Sequence, residues 1–179
     1  MMTMDRLEKM GKEVGFTHVG SLEIKTLKLL PEVRQMCESN SCRMYGKNWS
    51  CPPGCGSLEA CQEKISTYST GILVQTMGRL EDEMDGEGMM EIEARHKANF
   101  LRMYDELRAE GCDVLAIGAG CCTQCKICTY PDAPCRFPEK SFASMEAYGM
   151  LVTEVCRENG MKYYYGPATI AYTSCFLFR

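Results

Sequence analysis

The amino-acid sequence predicts an α/β fold: a central β-sheet flanked by helices, with two cysteine-rich loops, 37–61 and 121–138. Three observations predict it. Short uninterrupted apolar runs read as buried strands, and they alternate with segments whose apolar residues recur at helical spacing. Two irregular stretches rich in Cys, Pro and Gly interrupt that alternation. The length of 179 residues suits one domain, 1–179.

Residues 3–14 put Leu7, Met10 and Val14 at helical spacing, with Gly15 as the stop. Phe16 to Gly20 reads as a first strand. From Cys37 to Cys61 neither period holds, so an ordered loop held by something other than a core is expected. Leu58–Tyr68 reads as a helix and Gly71–Thr76 as a buried strand. Glu81–Gly88, acidic and glycine-punctuated, reads as an exposed turn. Ile92–Glu110 follows as a long amphipathic helix with Phe100, Met103, Tyr104 and Leu107 on one stripe and Gly111 ending it. Asp113–Gly118 is another buried-strand run, and it delivers the chain into the second cysteine loop. Ser144–Glu158 reads as a third helix, with Ser144 as N-cap and Gly160 as stop. Lys162–Tyr165 and Thr169–Phe178 read as two strands around Gly166-Pro167.

Lys and Arg number 20 against 24 Asp and Glu, giving a net charge of −4. An acidic chain without a basic stretch lacks the footprint of nucleic-acid binding. No apolar run is long enough to span a membrane, so no membrane partner is expected. Met1 to Glu8 carries charges where a signal peptide needs an apolar core, so the expected location is cytoplasmic. The outlying number is 13 cysteines. An odd count without a signal peptide argues for reduced thiols or metal ligands rather than disulfides. Fourteen methionines agree with a low-oxygen setting, because thioethers and thiolates both oxidise readily.

The strongest motif is Cys122-x2-Cys125-x2-Cys128-x6-Cys135, with Pro134 before its last cysteine and Pro138 after it. Two-residue spacings let successive thiolates wrap corners of a cuboidal cluster. The pattern resembles the bacterial ferredoxin run for a [4Fe–4S] cluster, with a longer last gap. Zinc is the alternative, although zinc commonly takes two Cys-x2-Cys pairs. Cys121 adjoins Cys122 and would be able to substitute for it. The glycines of Gly118-Ala119-Gly120 would let backbone N–H groups approach the cluster.

The first set is Cys37-x4-Cys42-x8-Cys51-x3-Cys55, with Cys61 as a fifth candidate. In Cys51-Pro52-Pro53-Gly54-Cys55 two prolines fix φ and Gly54 permits a bend, which suits a preorganised site. Arg43, Lys47 and Trp49 in this loop either pack and face solvent or offset cluster charge. The two sets supply four thiolates each, the count for two four-cysteine clusters. Cys112, Cys156 and Cys175 fall in or beside regular elements and read as core residues. His96, between Arg95 and Lys97, reads as lying on a solvated helix face, and His18 as half-buried in a strand. No phosphate loop and no hydrolase arrangement is evident, and no general acid or base is nominated.

The strings from Cys42 to Pro53, Cys122 to Cys128, Pro134 to Pro138 and Ser144 to Gly149 resemble a bacterial and archaeal family of predicted metal-binding proteins, domain of unknown function 2284. The resemblance covers most of the chain. It implies a cysteine-ligated metal centre, frequently in anaerobes, with an association with corrinoid or methyl-transfer metabolism as a looser expectation. The residues carried over are Cys37, Cys42, Cys51 and Cys55 in the first set and Cys122, Cys125, Cys128 and Cys135 in the second.

The leading expectation is an iron–sulfur protein with two [4Fe–4S] clusters, serving electron transfer to a redox protein partner or its reductive activation. An open iron with only three cysteine ligands would instead make it an enzyme. A structural or regulatory zinc protein is the second class, and a metal chaperone or sensor the third.

Overall fold

The structure is a computed structural model and describes residues 2–179; Met1, with which the expected domain and charged N-terminus begin, lies outside them. Helix α1 (Met4–Val14) starts where the Thr3 side chain accepts from Arg6 N at 3.3 Å and stops at Gly15 in the left-handed region, φ 112°. Its buried residues include Leu7, Met10 and Val14, as the spacing predicts.

Four strands form one sheet: β1 (His18–Leu22), β2 (Thr70–Arg79), β3 (Val114–Ile117) and β4 (Thr169–Phe178). Their order is β1-β2-β4-β3 and every neighbouring pair is antiparallel. Helix α4 (Gly86–Ala109) carries the chain from β2 across to β3, and β4 fills the gap last. It begins six residues earlier than the apolar stripe predicts, because the Asp85 carboxylate accepts from Gly88 N at 2.8 Å and caps it.

Side chains alternate across the sheet and both faces are covered, which is why the strands read as unbroken apolar runs. On one face Ile72, Val74, Val114, Phe176 and Phe178 pack with Leu7, Met10, Phe100 and Met103 of α1 and α4. On the other, Leu73, Leu115, Ile117 and Leu177 pack with Ile65 of α3 (Leu58–Ser66) and Val152 and Val155 of α5 (Val152–Glu158). The α/β fold with helices flanking a central sheet is therefore observed. Cys156 and Cys175 lie fully buried in this second core, whereas Cys112 is half-buried beside the first.

Three readings need correction, and one helix has no counterpart in the sequence reading. Helix α2 (Pro31–Glu38) precedes the first loop and carries Cys37 in its last turn; only Val33 is buried on it, so it shows little periodicity. The third helix is confined to α5: Ser144 Oγ does accept from Ala147 N at 3.0 Å, but Gly149 at φ 81° ends that single turn. Residues 162–165 form no strand, because Gln75 Nε2 bonds the Lys162 carbonyl at 2.9 Å and Tyr165 donates to Gln75 Oε1 at 2.6 Å, side-chain ties in place of a ladder. His96 is fully buried, facing the sheet hydroxyls of Thr76 and Ser174 rather than solvent. His18 is half-buried, as read.

Candidate metal centre

The first cysteine loop hangs between α2 and α3. Asn40, Arg43 and Gly46 take left-handed φ of 56°, 60° and 66°, folding the chain back on itself while Asn40 Oδ1 accepts from Tyr45 N at 3.0 Å. Gly54 is required sterically, since a Cβ there would lie 2.5 Å from the Asn48 carbonyl oxygen. That tight approach closes the Cys51–Cys55 turn, in which Cys55 N bonds the Cys51 carbonyl at 3.1 Å.

The second loop leaves β3 at Ile117. Gly118 and Ser144 form an isolated parallel bridge, in which Gly118 N bonds Ala143 O at 2.8 Å and Met145 N bonds Gly118 O at 3.1 Å. Lys97 on α4, paired with Glu93 at 2.6 Å, donates to the Cys121 carbonyl at 2.9 Å. Beyond it the loop closes on itself: Thr129 Oγ1 donates to Pro134 O and Arg136 to Ile127 O, both at 2.9 Å.

The two loops, 72 residues apart at the point of contact, are fastened together. Cys122 N donates to Ser50 Oγ at 3.0 Å, and Ser50 in turn donates to Asn48 Oδ1 at 2.7 Å. Trp49 Nε1 donates to the Ala133 carbonyl at 3.2 Å and its ring meets Tyr130 edge-on, so Trp49 serves packing between loops. Segment 143–150 supports both loops: it pairs with Gly118, and its Gly149 carbonyl accepts from Leu30 N at 2.7 Å just before α2.

Of the eight sequence-predicted ligands, Cys42 is exposed and the other seven are half-buried. Burial raises the pKa of Cys37, and a negative charge on nearby Cys42 would raise it further while Arg34 opposes. Burial likewise raises Cys51, against the adjacent Asn48 and Ser50 side chains, which would donate to its thiolate form, with Cys121 and Cys42 adding repulsion. Cys55 is pushed up to about 11 by burial, partly relieved by Arg34 and reinforced by Cys61 and Cys51. In the second loop, burial raises Cys122 and the neighbouring Cys135 and Cys125 add to it. Cys37, Cys42, Cys51 and Cys55 in the first loop, and Cys122, Cys125 and Cys135 in the second, are thus thiols whose near neighbours would repel them as thiolates, the situation a bound cation relieves. Among the described residues no three His, Cys, Asp or Glu side chains converge closely enough to hold a metal ion as they stand.

Two buried donors at the first loop lack partners, Arg34 Nε on α2 and Asn48 Nδ2 within the loop. Unpaired buried N–H groups are rare and costly, and thiolate or sulfide sulfur is an acceptor that would satisfy them. Sequence reasoning passed over Arg34, Asn48 and Ser50; the only signal was polar residues lying between or beside cysteines. Cys61 is buried on α3, where Arg34 reaches its sulfur at 3.7 Å. A small cavity of about 40 Å³ lies beside Cys121 and Cys122, walled by Lys97, Phe100 and Phe142.

Two thiol-rich loops fastened side by side on an antiparallel sheet define a cysteine-rich, metal-binding class of α/β protein. The chain belongs to the predicted metal-binding protein family DUF2284, whose model matches residues 20–178. No curated protein and no solved structure matches the chain. No helix is long and apolar enough to cross a membrane among the described residues.

Proposed function

We propose that this metal-binding protein holds two iron–sulfur clusters of the [4Fe–4S] type and exchanges electrons with a redox protein partner. The observation that carries the reading is the pinning of two multi-thiol loops to each other beside unpartnered donors on Arg34 and Asn48. In the second loop Cys122, Cys125, Cys128 and Cys135 would be the ligands; in the first, Cys37, Cys42 and Cys51 with a fourth thiol. Ligation asks each set to rotate its sulfurs inward and release their protons. Bound there, such clusters supply one-electron chemistry.

Charge and surface support the same reading. Residues 39–56 contain Arg43 and Lys47 and no acid, inside a chain of net charge −4. Those cations offset the negative charge of a thiolate-ligated cluster. Ile127 and Phe137 are exposed on the second loop, an apolar contact beside the thiols for a docking partner.

Protein purified without oxygen tests the proposal through metal, acid-labile sulfide and visible absorption. About eight iron and eight sulfide per chain, with a band at about 400 nm bleached by dithionite, is the expected result. One or two zinc with no sulfide would overturn it and leave a thiolate-stapled binding module.

A further inference from the structure

We infer that Cys121 is the fourth ligand of the first centre, in place of Cys55, so that two adjacent residues, Cys121 and Cys122, ligate different centres. The inference rests on the two-centre reading above and deepens it.

The geometry begins with the bond from Cys122 N to Ser50 Oγ, 3.0 Å long, which lays residues 50–51 alongside residues 121–122. Cys51 follows Ser50 and Cys121 precedes Cys122, so the two thiol-bearing residues flank the same hydrogen bond. The path into Cys121 is fixed as well. Gly120 turns left-handed at φ 67°, a Cβ there would lie 2.6 Å from the Glu93 carboxylate, and Lys97 holds the Cys121 carbonyl at 2.9 Å. Cys121 acts electrostatically on Cys51, as does Cys42, and Cys42 acts on Cys37. Cys55 also neighbours Cys51, while Cys122 has Cys135 and Cys125 of its own loop beside it, so the choice of fourth ligand falls between Cys121 and Cys55 and turns on their surroundings.

An independent observation points to a ligand at this spot. Asn48 is 3% exposed, its side chain lies against Cys51, and its Nδ2 has no partner. Cys55 has the Arg34 guanidinium near it, but its sulfur is turned to backbone oxygens. Its Sγ faces two carbonyl oxygens, Ala147 O at 3.9 Å and Gly56 O at 4.0 Å, which suit a thiol donor and repel a thiolate. The sulfur faces segment 143–150 through Ala147 O and lies near Cys61 of α3 as well as Cys51.

The consequence is a covalent link between centres. A single peptide unit, about 3.8 Å from Cα to Cα, would join a ligand of one to a ligand of the other.

The test uses the full chain and its Cys121→Ser, Cys55→Ser and Cys122→Ser variants, each loaded anaerobically with ferrous iron and sulfide and assayed for both. Cys121→Ser is expected to lose about half of its iron and sulfide, Cys55→Ser to keep the full load, and Cys122→Ser to lose the other half, with a different residual electron paramagnetic resonance signal on reduction. The half-load retained by Cys121→Ser shows that the variant is folded. A full load in Cys121→Ser, or a half-load in Cys55→Ser, overturns the assignment. Should the parent chain take up zinc without sulfide, the iron–sulfur reading falls while the assignment is scored on zinc: it stands if Cys121→Ser loses metal and Cys55→Ser does not, and falls otherwise. A parent chain that takes up neither metal overturns both.

Discussion

His96 is enclosed between the hydroxyls of Thr76, 2.9 Å from Nδ1, and Ser174, 2.7 Å from Nε2, with the Phe16 ring edge-on at 5.4 Å. It links α4 to the two central strands. Burial first, and then the charge of Lys97, push its pKa down to about 3 from the ordinary 6.5. Between those values the unfolded chain takes up a proton that the native state refuses, so stability falls as pH drops through 6.5. From pH 7.5 to 5.5 the expected loss from this residue is about 1.4 kcal/mol, seen as a lower urea midpoint. His96→Gln, which keeps hydrogen-bonding groups without titrating there, should lower stability at both pH values and remove that part of the slope. An unchanged slope in the variant would contradict a neutral His96.

At the scale of elements, Gly149 governs the link between the loops and the sheet. It sits at φ 81°, and a Cβ would lie 2.7 Å from Leu58 Cδ2 and 3.1 Å from the Leu30 carbonyl. Gly149→Ala is expected to cost about 2 kcal/mol or more, combining left-handed strain with the clash, measured by chemical denaturation. A neutral result would mean that segment 143–150 is free to shift. This residue also shows what was legible in the chain. Ser144 is a genuine cap, but the turn it caps ends after five residues because Gly149 turns left-handed and Leu30 occupies its carbonyl. Glycine inside an apolar period is compatible with a helix, so periodicity alone ran Ser144 to Glu158 together. The strands were legible because both faces are buried and the residues read as apolar runs; the antiparallel pairing was not, since burial on both faces erases the alternation that marks it. The failure at 162–165 has a similar origin, for the partners of Lys162 and Tyr165 lie on Gln75, almost ninety residues away.

Across the whole molecule, the cysteine spacings sorted the thiols into two sets, yet nothing in either motif indicates that the loops meet. That contact is made by Ser50, Trp49, Tyr130 and the Ala133 carbonyl, pairings remote in sequence. The same division decides what metal removal should do. None of the eight sequence-predicted ligands is buried, and no residue from 121 to 143 is. The apolar cores on the two sheet faces take Cys61, Cys156 and Cys175 but none of those eight. Helices and sheet therefore have their own source of stability, unlike small domains that fold only around metal. Chelation under reducing conditions is expected to leave the far-ultraviolet circular dichroism nearly unchanged while exposing the loops to trypsin at Arg43, Lys47, Lys126 and Arg136. Cleavage should fall at those four sites well before any in α1 or α4. Cooperative loss of the helical signal on chelation would show instead that the loops, through segment 143–150 and its bond from Leu30 N to Gly149 O, hold the sheet layers in place.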